Sequence, residues 1–273
     1  EELRNSSFLG DVLWIRARLS VLLGEYDNAR EHAERVMEFA PNDTRLIRMR
    51  GILEFQTGNF QRGKSHFDKF SATRGSVAAS SLPNSFMNLQ SMLAVDTGER
   101  VTITGELELL EVISEIAIQL ETSPVQVPWY MVPARLGVGL AASINGNAES
   151  AREQYDALLP YGGTLPRLSE ILIDRVLGNL AHTMGDRATA ATHYENGIAF
   201  CRNAGYRPQL AWTLHDYANM LLDTDKHGIE TPSSSTQHLQ AMAMLDEALE
   251  ISRDTGMRPL MERVLSRREI LKA

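Results

Sequence analysis

The sequence has little cysteine, proline or aromatic residue, and it has no long apolar run. Cys201 is the only cysteine, which excludes an intrachain disulfide and any metal site built from several thiolates. No stretch approaches the roughly 18 consecutive apolar residues that a membrane-spanning helix requires, and no signal peptide opens the chain. These absences fit a reducing compartment, so we expect a cytoplasmic location and no membrane partner.

Positive charge and metal-binding patterns are also scarce. The chain has 27 Lys and Arg against 35 Asp and Glu, a net charge of −8. Binding to a phosphate backbone needs clustered cations, so we expect no direct nucleic-acid contact. The histidines form no H-E-x-x-H motif, and the calcium-like run DTDKHGIE has His227 and Ser234 where carboxylate ligands are needed. The sequence therefore predicts no metal site and no cofactor.

Helix-favouring residues are abundant, and hydrophobic residues make up 43% of the chain, which suffices for a folded core. Two segments align without gaps: LLGEYDNAREHAERVMEFAPND and FQTGNFQRGKSHFDKF. Their glycines, Gly24 and Gly58, lie 34 residues apart, and the small residues Ala17 and Gly51 stand seven positions before them. This pattern resembles the tetratricopeptide repeat. The resemblance implies an all-α, right-handed solenoid of stacked helix pairs.

The same frame returns with looser spacing further along the chain. Gly146 and Gly185 each follow a small residue by seven positions, and a sixth unit begins at Pro208. We expect Gly98 to turn a degenerate third unit, with residues 85–95 as its first helix and residues 106–120 as its second. About twelve or thirteen helices are predicted in this way.

We therefore predict one helical-repeat domain over residues 1–273, with about six helix pairs and a capping helix. Residues 1–76 form two regular units and residues 77–273 four looser ones, with a break near Ser71–Pro83. A long polar loop covers about residues 223–236, and the capping helix runs from Pro259 to Lys272. The arginines of that helix, among them Arg263, are expected on a solvated outer face.

The second half carries a narrower resemblance. The phrases GYRPQLAW, LDEALEISRDTGM and RPLMERVL resemble the C-terminal repeat region of bacterial signalling ATPases of the STAND type, which include LuxR-like regulators and cyclase-linked proteins. In that family the repeat arm senses an effector or partner, while ATP binding and DNA binding or cyclase activity lie in other domains. The resemblance implies a non-catalytic sensor module, part of a longer protein, which a chain beginning with Glu1 also permits.

The repeat resemblance also implies a binding groove. In tetratricopeptide proteins the first helix of each pair lines the concave face, at positions thirteen, ten, six and three before the turn glycine. Asn side chains there suit a peptide backbone, and Arg or His suits a carboxylate or phosphate. We expect a peptide, a protein, an effector or other domains of the parent protein as the partner. The predicted groove residues are Trp14, Arg18, Arg45, Arg48, Arg175, Asn179, His182, Trp212, His215 and Asn219.

Two alternatives remain beside this non-catalytic module. Residues Gly58 to Ser65 satisfy the P-loop pattern G-x-x-x-x-G-K-S, which would make the chain a nucleotide-binding enzyme. A P-loop needs a strand before it, whereas residues 45–56 are predicted to be helical. The other alternative is a structural spacer or oligomerisation arm, whose groove would be closed by the protein's own helices or by an oligomer.

Overall fold

The computed structural model describes residues 2–79, 83–122, 128–166, 169–223 and 232–270, and these ranges contain helices and connections but no strand. The all-α prediction is confirmed. The thirteen α-helices of the described residues are α1 (Glu2–Leu23), α2 (Tyr26–Met37), α3 (Thr44–Gln56), α4 (Phe60–Ala79), α5 (Pro83–Thr104), α6 (Leu110–Glu121), α7 (Pro128–Asn145), α8 (Ala148–Leu158), α9 (Ile173–Thr183), α10 (Arg187–Ala204), α11 (Arg207–Leu222), α12 (Pro232–Thr255) and α13 (Arg258–Ile270).

Four of the five predicted turn glycines, Gly24, Gly58, Gly146 and Gly185, separate consecutive helices. Gly24 ends α1 with φ +81° and Gly58 follows α3 with φ +76°, a left-handed conformation that glycine adopts without steric cost. The small residues of the repeat frame sit where helices approach closely. A Cβ added to Gly51 would lie 3.0 Å from the Phe67 ring, which belongs to the partner helix of the same pair. The local part of the repeat pattern thus matches the observed helix pairs.

Gly98 does not form the third turn. Helix α5 runs through it to Thr104, and the chain turns at Gly105, with φ +76°. Gly98 stands seven residues before Gly105, as Ala17 does before Gly24. A Cβ on Gly98 would lie 3.0 Å from the Cα of Gly137 in α7. The prediction was wrong because Gly98 is the close-contact residue of its pair, and the turn comes seven positions later.

Two other boundaries differ from the expected ones. Helix α4 continues through residues 71–79 of the predicted break, and residues 80–82 lie outside the described residues. Helix α12 begins at Pro232, inside the predicted polar loop, and residues 224–231, including most of the calcium-like run, are likewise outside. The capping helix is present as α13, and residues 271–273 are not described.

The helices form two layers around a common interior. Odd-numbered helices contact one another in chain order from α1 to α11, and α11 also contacts α1. The even-numbered helices pack outside, each between consecutive odd-numbered ones, and α13 contacts α3 and α5. The beginning and end of the chain therefore meet, and the inward side chains of the odd-numbered helices face each other.

Candidate functional site

The ten predicted groove residues all lie on the inner helices α1, α3, α9 and α11. Four of them are buried by other parts of the chain: Arg48, Arg175, Trp212 and His215. The other six keep partial exposure: Trp14, Arg18, Arg45, Asn179, His182 and Asn219. The predicted surface is therefore divided between a buried core and two partly open regions.

Trp14 and Arg45 form a small cluster at the edge, between α1 and α3. The Arg45 guanidinium lies 5.0 Å from the centroid of the Trp14 ring. It also pairs with Asp43 at 2.7 Å and with Asp11 at 2.9 Å. The hydrogen bond to Asp43 is the main cause that raises the pKa of Arg45. This guanidinium is already engaged by two carboxylates of its own chain.

Arg18 and Arg48 converge on one carboxylate in the interior. Glu170, in the connection before α9, accepts hydrogen bonds from Arg18 Nε at 3.2 Å and Arg48 Nη2 at 3.3 Å. Arg48 Nη1 also donates to Asp96 Oδ1 of α5 at 2.6 Å. We call Arg18, Arg48, Asp96 and Glu170 the inner ionic cluster. It joins α1, α3 and α5 to the connection that leads into α9.

The carboxyl groups in and beside this cluster titrate differently. Burial alone would raise the pKa of Glu170, but the Arg48 and Arg18 guanidinium groups hold it below its ordinary value. Burial raises the pKa of Asp96 to about 8, against the opposing pull of Arg48. Burial, reinforced by the charge of Glu170, raises the pKa of Glu99 to about 7. Near neutral pH the interior therefore holds protons on carboxyl groups that would be ionised in water.

A second cluster centres on Asp216 of α11. Its Oδ2 accepts hydrogen bonds from Arg175 Nε at 2.7 Å and from Asn179 Nδ2 at 3.3 Å. His215 Nδ1 lies 3.0 Å from its Oδ1. Burial would raise the pKa of Asp216, but Arg175 and His215 lower it well below the usual range. We call Arg175, Asn179, His215 and Asp216 the Asp216 cluster, and its carboxylate is ionised and satisfied.

An inner cavity of about 280 Å³ adjoins the Asp216 cluster. It lies where α5, α7, α9, α11 and α13 meet, with apolar walls from α7 that include Leu140 and Ile144. The polar lining includes three predicted groove residues, Asn179, His182 and Asn219, and two charged residues that were not predicted to line the groove, Asp216 and Arg263. Four residues with hydroxyl groups complete it: Thr102, Ser143, Thr183 and Tyr194.

Arg263 of α13 faces this cavity rather than bulk solvent. Its Nη2 donates to the backbone oxygen of Ile103 at 3.3 Å, and its guanidinium lies 5.8 Å from the centroid of the Trp212 ring. Burial, and then the nearby charge of Arg175, lower its pKa, against the opposing pull of Asp216. The expectation of a solvated outer face is wrong for Arg263, because α13 packs onto α3 and α5.

Sequence signals for the missed residues exist. The phrase G-x-R-P occurs at residues 205–208 and again at residues 256–259, and this alignment places Arg263 at the position of Trp212. With Gly105 as the turn, Glu99 stands six positions before it, at the groove position that Arg18 occupies before Gly24. The first signal requires the two phrases to be aligned, and the second requires Gly105 rather than Gly98 as the turn glycine.

The P-loop-like segment has helical geometry. Helix α3 precedes it, Gly58 lies in the turn, and α4 begins at Phe60. The Gly58 N–H donates to Phe55 O, and the Gly63 N–H donates to Asn59 O. A Cβ on Gly63 would lie 2.7 Å from the Phe55 ring. These amides are used within the fold, whereas a phosphate-binding loop directs its amides at the ligand. The geometry gives the nucleotide alternative no support.

Other chemical groups are accounted for within the described part of the chain. It contains no cluster of three or more His, Cys, Asp or Glu side chains that could hold a metal ion. It also contains no helix with the length and apolar character needed to cross a membrane. Cys201 is buried, and burial raises its pKa to about 12, which confirms the prediction of a small buried hydrophobe.

Comparison with known proteins gives no relative. No protein-family model, no curated protein and no solved structure matches the chain. The resemblances to tetratricopeptide repeats and to bacterial signalling ATPases therefore stay predictions.

Proposed function

We propose that this chain is a non-catalytic sensor module of tetratricopeptide type that binds a small effector in the inner cavity. The observation that carries this proposal is the convergence of Asn179, His182 and Asn219 on that cavity. They come from two different inner helices, and their selection rested only on their offsets from the repeat frame. Asn179 and Asn219 hold equivalent positions one unit apart, so a regular pattern leads to one concave polar site.

The size of the open space favours a small effector over an extended peptide. Arg48, Arg175, Trp212 and His215 are buried, and the contact between α1 and α11 interrupts any continuous groove. The remaining cavity of about 280 Å³ lies near the lower end of small-molecule pockets, which span roughly 300–1,000 Å³. A metabolite-sized molecule fits this volume.

The finer fold and the setting belong to the same proposal. The contacts of successive inner helices and the repeated turn glycines support a right-handed solenoid of about six helix pairs. The resemblance of GYRPQLAW, LDEALEISRDTGM and RPLMERVL to signalling ATPases supports a cytoplasmic bacterial parent protein, in which effector binding here would be transmitted to other domains. The single cysteine supports the same compartment.

One observation favours the structural alternative. A spacer arm predicts a groove closed by the protein's own helices, and α11 does contact α1 across the interior. Trp212 Nε1 donates to Gln56 Oε1 at 3.0 Å, so the closure includes specific hydrogen bonds between distant inner helices. The two functions differ in one respect that can be measured: only the sensor requires the cavity to take up a ligand.

Thermal unfolding with a mixed library of small molecules separates these functions. Ligands that bind the folded state raise the melting temperature. At a free concentration of a hundred times Kd, such a ligand adds about 2.7 kcal/mol to the free energy of unfolding. Ser143→Phe would fill part of the cavity. Ser114→Phe is the matched control, because both hydroxyls donate to the helix carbonyl four residues earlier and Ser114 is exposed on α6.

The sensor proposal expects compounds that stabilise the parent chain and the Ser114→Phe variant but not the Ser143→Phe variant. Compounds that stabilise all three equally would place binding outside the cavity. A library without a single binder would favour the structural arm. Stabilisation by ATP that is lost in Lys64→Ala would instead support the alternative of a nucleotide-binding enzyme.

A further inference from the structure

The unused hydrogen-bonding capacity of Arg263 is the starting point. A guanidinium has five N–H donors. Only one hydrogen bond of the Arg263 side chain occurs among the described residues, the 3.3 Å contact from Nη2 to the Ile103 carbonyl. No described carboxylate lies within 4.0 Å of it. The described residues supply no further partner for this half-buried guanidinium at the cavity wall, so its remaining donors are open to a ligand.

The neighbouring carboxylates are engaged by other cations. Asp216 is paired with Arg175 at 2.7 Å. Asp223, at the end of α11, lies 3.5 Å from both Arg267 Nη2 and His182 Nε2. Among the described residues, Arg263 is therefore left without an ion pair of its own at the cavity. A local excess of positive charge in a partly dehydrated space attracts an anion more strongly than it would in water.

The ring of Trp212 holds two guanidinium groups in the same region. The Arg175 guanidinium lies 4.9 Å from its centroid and that of Arg263 lies 5.8 Å away. Asp216 compensates the charge of Arg175, which weakens the repulsion between Arg175 and Arg263. An anion bound to Arg263 would weaken this repulsion further.

We propose that the effector is a small oxyanion, carrying a carboxylate or a phosphate group that Arg263 binds through two parallel N–H donors. Arginine suits this role because its planar fork matches both groups. Asn219 then contacts a polar atom of the ligand, while Asn179 stays engaged with Asp216 and Tyr194. The apolar part of the ligand lies on Leu140 and Ile144. This inference depends on the proposed function, because it names the ligand class of the same cavity.

The test uses acid and amide pairs of equal shape, at constant ionic strength. The probes are acetate and acetamide, succinate and succinamide, benzoate and benzamide, and inorganic phosphate, each up to tens of millimolar. Their dissociation constants are measured from thermal shifts and calorimetry with the full chain. Arg263→Gln removes the charge, Arg263→Lys keeps the charge without the fork, and Arg268→Gln is the control. Arg268 is on the same helix but pairs with Asp246.

We expect at least one acid to bind at least tenfold more tightly than its amide, or inorganic phosphate to bind with a dissociation constant within the tested range. Arg263→Gln should weaken this binding at least tenfold, Arg263→Lys should weaken it less, and Arg268→Gln should leave it unchanged. Phosphate binding without carboxylate binding would assign the phosphate arm of the proposal, and the reverse result would assign the carboxylate arm. Circular dichroism of each variant checks that it remains folded.

Other results would distinguish a failure of the oxyanion inference from a failure of the proposed sensor function. If library compounds bind in the cavity by the Ser143→Phe criterion but are neutral or cationic and insensitive to Arg263→Gln, the oxyanion inference is wrong and the sensor function stands. If no compound of any charge depends on Ser143, both proposals fail together.

Discussion

Glu170→Gln is the sharpest perturbation of the inner ionic cluster, because Glu170 accepts from two arginines of different helix pairs. The substitution keeps the shape of the side chain and removes its charge. The side chains of Glu170 and Arg48 are each 5% exposed, and that of Arg18 is 19% exposed. Removing one partner of such a buried pair costs about 3–5 kcal/mol. We expect about 3 kcal/mol, since Asp96 still faces Arg48 and the amide oxygen can still accept.

Urea unfolding followed by far-ultraviolet circular dichroism measures this loss as a shift of the midpoint at unchanged slope. Glu247→Gln is the control, because it removes an ion pair with Arg202 whose side chains are 37% and 54% exposed. Exposed pairs of this kind contribute about 0–1 kcal/mol. Equal midpoints for the two variants would refute the conclusion that the inner ionic cluster stabilises the fold.

The pH dependence and a second substitution sharpen the same test. The pKa of Glu170 is lowered in the folded state, so its stabilisation is present above the unfolded pKa, near 4.3, and is lost as pH falls. The difference between the parent chain and Glu170→Gln should therefore shrink below about pH 4. Combining Glu170→Gln with Arg48→Met should cost about 1–3 kcal/mol less than the sum of the two single substitutions. Strict additivity would contradict the direct contact.

Three further outcomes can be checked with the same material. The pKa is raised to about 8 for Asp96 and to about 7 for Glu99, whereas both ionise near 4 when unfolded, so stability should fall as pH rises from about 4 to about 8. The fall in urea midpoint should be smaller in the Asp96→Asn, Glu99→Gln variant. Gly137→Ala would place a Cβ 2.3 Å from a carbonyl oxygen of α5 and should cost about 3 kcal/mol, against about 1 kcal/mol for Gly146→Ala, which has open space but a φ of +65°. Cys201, with its raised pKa and 1% exposure, should react with a thiol reagent at least tenfold more slowly in the native chain than in urea.

The sequence predicts the helix pairs well because their signals are local. Gly24, Gly58, Gly146 and Gly185 all have positive φ, and the frame that selected them needs only the offsets within one unit. The prediction for the third unit was wrong because Gly98 and Gly105, seven residues apart, each satisfy part of the repeat pattern. Their roles are decided by α7, whose Gly137 packs against Gly98, and no local pattern contains that contact.

The sequence predicts which side chains of the candidate site point to the interior, but not how exposed those side chains are. The repeat frame indicates which side of an inner helix faces the interior, and it selected Asn179 and Asn219 on this basis. It does not indicate how far the chain curves before its ends meet. The contact between α1 and α11 depends on small rotations added over many helices, so the burial of Arg48 and Trp212 could not be derived from spacing.

The same kind of contact between an arginine and an aspartate occurs twice between consecutive inner helices, and the second one lies at the candidate site. Arg48 stands ten residues before its turn glycine and pairs with Asp96, which stands two residues before the small residue Gly98 of the next inner helix. Arg175 stands ten residues before Gly185 and pairs with Asp216, two residues before Ala218 of the next inner helix. Each of these two arginines thus donates a hydrogen bond to an aspartate one helix pair further along the chain.

Arg263 faces inward from α13, the last helix that the structure describes. Arg263 aligns with Trp212 rather than with Arg48 and Arg175, and within the described ranges no aspartate pairs with it as Asp96 and Asp216 pair with those two arginines. Among the described residues, Arg263 therefore has no ion-pair partner beside the inner cavity. An interior closed purely for stability would gain from an apolar residue at this position, because an uncompensated charge at a partly buried site is costly. The retained arginine is accounted for if the missing negative charge is brought by the ligand.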